Sequence, residues 1–494
     1  MKLTYVKEHS KHPIKVTQLK TKVSYTLCTG VVLISIISCS SVRSHKGSLI
    51  PPPAPLPLIR EEEVSFDLGG GNSLQMIHLK NGLQVVLIEM PGSTVSYGAI
   101  AIGVGGRYEP DKWAGISHLL EHLLFKENER ARPLTQIRRT GGNVNALTEM
   151  ELTTYYFTVR PEHFVTSMTA LRTLVLEPRF TEEDLKLERE VVLEELAMGK
   201  NDPRALAITS LVKKIFPGSP LANLVIGTKK SVKNIDFEEL IAFHSAYYVP
   251  DNMVVVAAGK IDGQHTGRLI EDLFGGLDRN PLPAAHFSRP EIAVHELEKK
   301  IPVRQAFFIT GVLTPGRGSD DYSTMRILDT LLGSGLGSRL HRRIVLEEGL
   351  TDEIYHFWYP FSDTGVWALF LSMNPEDVET VSRIVWEEFA SVREGELTEE
   401  DLLLAKKALL SRRHLNLDRP KDLADFEVES LLFRGIVLTV DGHMEELERI
   451  SREDVIKTAG VYFSPENVVT VEMLPARGIS KLYLAMKFLV TKKL

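Results

Sequence analysis

The chain has 494 residues, 43% hydrophobic and 25% charged, with a formal net charge of −7. That length exceeds a single ordinary core and points to two or more domains of globular composition. Acids and bases are mixed throughout, so there is no basic stripe of the kind that binds nucleic acid, and nothing after the leader approaches the ~18 apolar residues of a membrane span.

The leader differs from the rest. Lys2, Lys7, Lys11, Lys15, Lys20 and Lys22 precede an apolar run that ends Val31-Val32-Leu33-Ile34-Ser35-Ile36-Ile37-Ser38-Cys39, the pattern of an export signal. Ile36-Ile37-Ser38-Cys39 resembles the lipobox of bacterial lipoproteins. The resemblance implies a signal peptide over residues 1–39 and lipidation at Cys39. It also implies a location in the bacterial cell envelope, on the periplasmic side of the outer membrane; a plain signal peptide or a short anchor is the alternative. The only cysteines are Cys28 and Cys39. After cleavage at Cys39 the folded part has no disulfide, no cysteine metal site and no cysteine nucleophile, so any metal must be held by histidines and carboxylates. Residues 40–63 form a linker whose Pro51-Pro52-Pro53-Ala54-Pro55-Leu56-Pro57 is expected to be extended and semi-rigid.

Beyond the linker the sequence repeats. Thr181-Glu182-Glu183-Asp184-Leu185 recurs 217 residues later as Thr398-Glu399-Glu400-Asp401-Leu402. The turn and strand from Tyr247 to Val256 recur 215 residues later, from Tyr462 to Val471. Each half opens on strands, Leu83–Ile88 and Gln305–Ile309, and continues into amphipathic helices. The expected organisation is two α+β domains, 64–280 and 295–476. A linker, 281–294, contains Pro281, Pro283 and Pro290, and a tail, 477–494, follows. The tail mixes apolar residues with lysines and suits either a membrane surface or a docked terminal helix.

In the first half, His118-Leu119-Leu120-Glu121-His122 places two histidines and a glutamate on one helical face. Such a face can hold a cation or can simply be a solvated amphipathic surface. A catalytic zinc needs three protein ligands and an open position for water. The ion lowers that water's pKa from 15.7 to about 7, and Glu121 is the natural general base for it. The helix that starts at Thr181 has a capping-box-like opening and carries Glu188 and Glu195 seven residues apart, on one face beside Val191 and Val192. Two carboxylates in such a setting are costly to bury without a cation. Aligning the halves puts Arg326, Asp329 and Thr330 opposite His118, Glu121 and His122, and Ala405 and Arg412 opposite Glu188 and Glu195. Only the first half retains metal-binding chemistry.

His118-x-x-Glu121-His122 with Glu195 beyond it, and Gly141-Gly142-Asn143-Val144-Asn145-Ala146 followed by Tyr155-Tyr156, closely resemble the pitrilysin/insulinase zinc peptidases, in particular their processing-peptidase branch. The resemblance covers about residues 70–475. It implies two mostly antiparallel sheets with helices packed on them, forming a clamshell. It assigns His118, His122 and Glu195 as ligands of one Zn2+, Glu121 as base on a zinc-bound water, and Glu188 as the acid that orients the site. Glu194 then faces about 100° away and is a decoy. Asn143, Asn145 and Ala146 would lie on an exposed strand to which an extended peptide adds.

The resemblance breaks in the second half, where an Arg and a Tyr expected to close over substrate fall on Val345 and Asp352. Either a homologous subunit supplies them, in a heterodimer or homodimer, or other groups such as Arg342, Arg343 or Tyr355 serve. The glycine-rich stretch Gly333 to Ser338 lacks the last glycine of a dinucleotide loop and the lysine of a phosphate loop, and reads as a hinge or guiding loop. The expected function is a zinc-dependent endopeptidase acting on peptides or unfolded protein segments. The alternative is a non-catalytic assembly or scaffold subunit of the same fold.

Overall fold

The computed structural model describes residues 49–50, 63–126, 133–199, 202–283, 287–288, 290–352, 354–416 and 418–476. The expected signal peptide with Cys39, nearly all of the expected proline-rich linker and the expected tail lie outside the described residues.

The first repeat is built on seven strands: β1 (Glu63–Gly69), β2 (Asn72–His78), β3 (Gln84–Glu89), β4 (Ser96–Ile102), β5 (Asn143–Thr148), β6 (Thr153–Val159) and β7 (Met253–Gly259). Their order across the sheet is β1-β2-β3-β7-β4-β6-β5, with β3 and β7 parallel and every other pair antiparallel. β4 and β7 bury every residue, which requires cover on both faces. Eight helices follow the chain: α1 (Ile116–Leu124), α2 (Pro133–Arg139), α3 (Phe164–Leu176), α4 (Glu182–Gly199), α5 (Pro203–Ile215), α6 (Lys229–Asn234), α7 (Phe237–Tyr247) and α8 (Gly263–Phe274).

The second repeat has five strands: β8 (Glu296–Ile301), β9 (Ala306–Pro315), β10 (Ile354–Pro360), β11 (Thr364–Met373) and β12 (Val468–Pro475). They are ordered β8-β12-β9-β11-β10, with only β8 and β12 parallel. Its longer helices are α9 (Tyr322–Leu332), α10 (Val378–Arg393), α11 (Glu399–Asn416), α12 (Pro420–Arg434), α13 (Val440–Arg449) and α14 (Arg452–Tyr462). The two sheet-and-helix lobes are those of a duplicated clamshell, and the repeat extends to individual hydrogen bonds. Thr181 N–H donates to Asp184 Oδ2 at 2.9 Å, and Thr398 N–H to Asp401 Oδ2 at 3.1 Å. Asn252 Nδ2 donates to Tyr247 O, and Asn467 Nδ2 to Tyr462 O.

One face of the first sheet is covered by helices of its own repeat. Val85, Leu87, Ile100 and Val255 share a core with Leu119, Leu120 and Leu123 of α1 and with Leu171 of α3. The opposite face, carrying Val86, Ile88, Ala99 and Val256, is covered by Leu423, Ala424, Val428 and Leu431 of α12. Reciprocally, Ile208, Leu211 and Ile215 of α5 pack on Ile309, Ala368, Phe370 and Val471 of the second sheet. Each repeat thus lends one helix to the other. Gly311 permits the close approach, because a Cβ there would lie 2.8 Å from Leu211 Cδ2. A buried polar clamp adds to the contact: the Arg107 guanidinium donates to Glu151 and Asp363, and Glu151 accepts the Ser362 N–H at 2.8 Å.

Candidate metal centre

The site begins with the way α1 is started. Gly115 takes φ 98°, and a Cβ there would lie 2.6 Å from Ile226 O, so only glycine fits. No side chain at this position can cap the helix. Instead, the buried Glu109 carboxylate accepts the N–H of Gly115 at 2.6 Å and of Ser117 at 2.8 Å, satisfying two otherwise orphaned helix donors. Burial pushes Glu109 up to about 7, against the lowering effect of these bonds.

With α1 anchored, Leu119, Leu120, Leu123 and Leu124 turn into the core, leaving His118, Glu121 and His122 facing α4 and β5. His118, His122 and Glu195 each offer a ligand atom, and these atoms lie within 4.8 Å of one another. Among the described residues no other group of three or more His, Cys, Asp or Glu converges in this way. His122 Nε2 is 3.8 Å from Glu195 Oε2. The His118 Nδ1 atom is buried without a hydrogen-bond partner. Burial, reinforced by His122, brings the His118 pKa down to about 3, so the imidazole stays neutral, as a metal ligand must be. Two imidazoles and a carboxylate are a donor set that suits zinc.

Glu188 is buried on α4. Its Oε2 lies 3.3 Å from His122 Nδ1, and its Oε1 accepts from Lys126 Nζ at 2.7 Å. The hydrogen bond to His122, then that to Lys126, outweighs desolvation and holds Glu188 below the ordinary carboxylate range. Burial alone would lower His122; the Glu188 hydrogen bond and the charges of Glu195, Glu121 and Glu188 reverse this and raise it. Glu195 is raised, by desolvation. Glu121 is also raised, chiefly by desolvation, although the Thr148 hydroxyl donates to its Oε2 and pulls the other way. Glu194 points to solvent, whereas Val191, expected beside the two carboxylates, is exposed and only Val192 is buried.

β5 is the edge strand and pairs only with β6. Asn143 and Asn145 are exposed, while Val144 and Thr148 are buried and Ala146 is half-buried. By strand alternation Ala146 and Thr148 share the α1 face and the two asparagines point to the other. Three residues that matter here stand outside the motifs described above. Lys126 stands one helical turn beyond His122, and Thr148 two residues beyond Ala146; both spacings could have found them. Glu109 acts from a loop, and no local pattern marks it.

In the second repeat, Asp329 accepts from Trp367 Nε1 at 3.0 Å and Thr330 donates to Arg326 O at 2.9 Å, which are structural uses of those positions. Val345 is half-buried and Asp352 exposed. Arg343 is engaged by Glu387 and Glu388, Arg342 lies 3.4 Å from Glu347, and Tyr355 sits under Arg204.

Among the described residues, a duplicated two-lobed fold carries a candidate His/His/Glu metal cluster in one lobe only, the asymmetry expected of a metallopeptidase with one metal-binding and one inactive half. The chain belongs to the insulinase family of peptidases (M16): residues 84–229 match the profile "Insulinase (Peptidase family M16)" and residues 234–409 match "Peptidase M16 inactive domain". It is 31% identical over 385 residues to an uncharacterised zinc protease of Mycobacterium leprae, covering 76% of this chain and 86% of that one. It is 27% identical to the uncharacterised zinc protease YmxG of Bacillus subtilis, covering 78% and 95%. A protease from Helicobacter pylori shares the fold with a TM-score of 0.77 at 23% identity, over 81% of this chain and 99% of that one.

Proposed function

We propose that the protein is a zinc endopeptidase of peptides or unfolded protein segments, with His118, His122 and Glu195 holding the ion and Glu121 as general base. The observation that carries this reading is the convergence of the three ligand atoms within 4.8 Å, with Glu121 on the same helical face. When bound, zinc supplies Lewis-acid chemistry, polarising the scissile carbonyl and acidifying water. Glu121, its pKa raised by burial, takes a proton from the attacking water and returns it to the leaving amine as the C–N bond breaks. The Thr148 hydroxyl holds the Glu121 carboxylate in place for that transfer. Glu188 keeps the His122 ring oriented and basic. The free edge of β5 takes an extended peptide as an added strand, with Asn143, Asn145 and Ala146 along it.

Two further parts of this reading rest on the sequence. With Val345 and Asp352 where an Arg and a Tyr are expected, a homologous subunit completes the substrate enclosure. With Cys39 lipidated, the enzyme works in the bacterial envelope. The deciding experiment measures zinc per chain and peptide hydrolysis for wild type and Glu121→Gln, each alone and with a relative that lacks the zinc motif. One zinc per chain with loss of hydrolysis in Glu121→Gln is expected. Equal function of the variant in every assay would leave a scaffold role instead, and full activity of the chain alone would remove the partner.

A further inference from the structure

The second repeat contains a cavity whose lining shares no residue with the His118/His122/Glu195 cluster. It lies between α9 and α12, has a volume of about 180 Å³, and presents Arg317, Arg326 and Arg434 with Tyr322, Ser430 and Glu429. All of its walls belong to the second repeat.

The three arginines are paired unequally, and Glu149 of the first repeat adds a negative charge near Arg317. Arg434 is committed to Glu446, which also accepts the Ser323 hydroxyl at 2.6 Å. Arg317 lies 3.3 Å from Glu429 and stacks on Phe433, yet its Nε is buried without a hydrogen-bond partner. Arg326 has a different neighbour. Its Nη1 lies 3.0 Å from His443 Nε2, and burial, then the charge of Arg326 itself, holds His443 down to about 3. That imidazole is therefore neutral and offers no counter-charge. The next guanidinium inward, Arg413, is locked to Glu427 and the carbonyl of Leu438, with Nε and Nη1 buried and unpartnered. Of the three guanidinium groups that line the cavity, Arg317 and Arg434 each have a carboxylate within ion-pair distance, whereas the direct side-chain partner of Arg326 is the neutral His443, with the charge of Glu446 reaching it from further off. A guanidinium held against a neutral ring in a partly buried site is costly unless an anion completes it. Its planar donors suit an oxyanion with two or more acceptor oxygens.

The geometry points to this cavity as a binding site for a small multivalent oxyanion, of phosphate or dicarboxylate type, held by Arg326 with Arg317 as the second donor. Arg326 stands opposite His118 when the repeats are aligned. The half that lost its cation ligands has gained a site of the opposite sign.

The test uses the full zinc-loaded chain and two probes, inorganic phosphate and succinate, each compared with sodium chloride at matched ionic strength. Thermal unfolding and titration calorimetry are the readouts. A rise of several degrees in Tm with one or both probes, saturating with one site per chain, is expected; the stronger probe identifies the source of the oxyanion. Arg326→Gln is expected to weaken that probe at least tenfold, and Arg326→Lys, which keeps the charge and loses the fork, to weaken it less. Should Arg326→Gln not fold, Arg326→Lys decides alone, since affinity equal to wild type would overturn the site. No stabilisation beyond chloride, or stabilisation unchanged in Arg326→Gln, also overturns it. Neither readout depends on peptide hydrolysis, so failure of this site and failure of the peptidase reading are separable.

Discussion

Lys126 Nζ donates to Glu188 Oε1 at 2.7 Å, on the opposite side of the carboxylate from His122. The lysine therefore sets where the carboxylate sits, and the carboxylate sets where the imidazole points. Outer partners of this kind are worth about 10–100-fold in metal affinity. Lys126→Met is expected to fall near the lower end of that range and Glu188→Gln near the upper end, measured by competition with a zinc chelator. Wild-type affinity in Lys126→Met would show that Glu188 is held by its packing alone.

The two adjacent glutamates of α4 should separate cleanly. Glu195→Gln is expected to lose zinc on gel filtration, and Glu194→Gln, whose side chain is exposed, to keep one ion per chain. Metal content after desalting decides this.

Thr148 supplies a hydrogen bond that lowers the Glu121 pKa. Removing it in Thr148→Val lets the pKa rise further, so the acidic limb of the kcat/KM profile should move to higher pH. Peptide hydrolysis near neutral pH is expected to fall about tenfold, the worth of one hydrogen bond of ~1.4 kcal/mol. A drop in rate with an unmoved acidic limb would assign Thr148 to substrate binding instead.

Glu109 titrates at about 7 in the folded protein, above its ordinary value, so the folded state holds the proton more tightly than the unfolded chain. Its contribution to stability is complete below the unfolded pKa and is lost as pH rises towards 7, with a slope of up to about 1.4 kcal/mol per pH unit. Glu109→Gln should remove this component. Denaturant unfolding at pH 5.5 and 7.5 is expected to show a smaller pH dependence for the variant than for wild type.

The exchanged helices predict long-range destabilisation. Leu423 of α12 is fully buried against the first sheet, and Leu423→Ala should cost about 2–5 kcal/mol. Amide exchange should quicken in β3 and β7, which belong to the other repeat. Effects confined to α12 and its own repeat would count against the exchange as a source of stability.

The convergence of His118, His122 and Glu195 is legible in the sequence because the spacing that produces it is local. His118, Glu121 and His122 lie within two turns of one helix, and Glu188 and Glu195 within two turns of another, so helical period alone ordered them. The duplication was equally legible, down to the Thr181 and Thr398 caps. What spacing could not show were relations between distant segments. Glu109 caps α1 from a loop, and Leu211 and Leu423 pack on sheets formed by residues far along the chain. Asn145 lies on an edge strand, but the face it presents depends on how β5 lies over α1. The Arg326 cavity was invisible for the same reason, since α9, α12 and α13 meet there only in three dimensions.

The reciprocal loan of α5 and α12 bears on how such a molecule can be made. A half-length polypeptide would leave one face of its sheet bare to water, a surface rich in valine, isoleucine and alanine that invites aggregation. Two identical halves could cure this by swapping one helix each across a two-fold axis. Fusing them keeps the swap while releasing the copies from identity, so one lobe can do without metal-binding residues and still keep the shape the other needs.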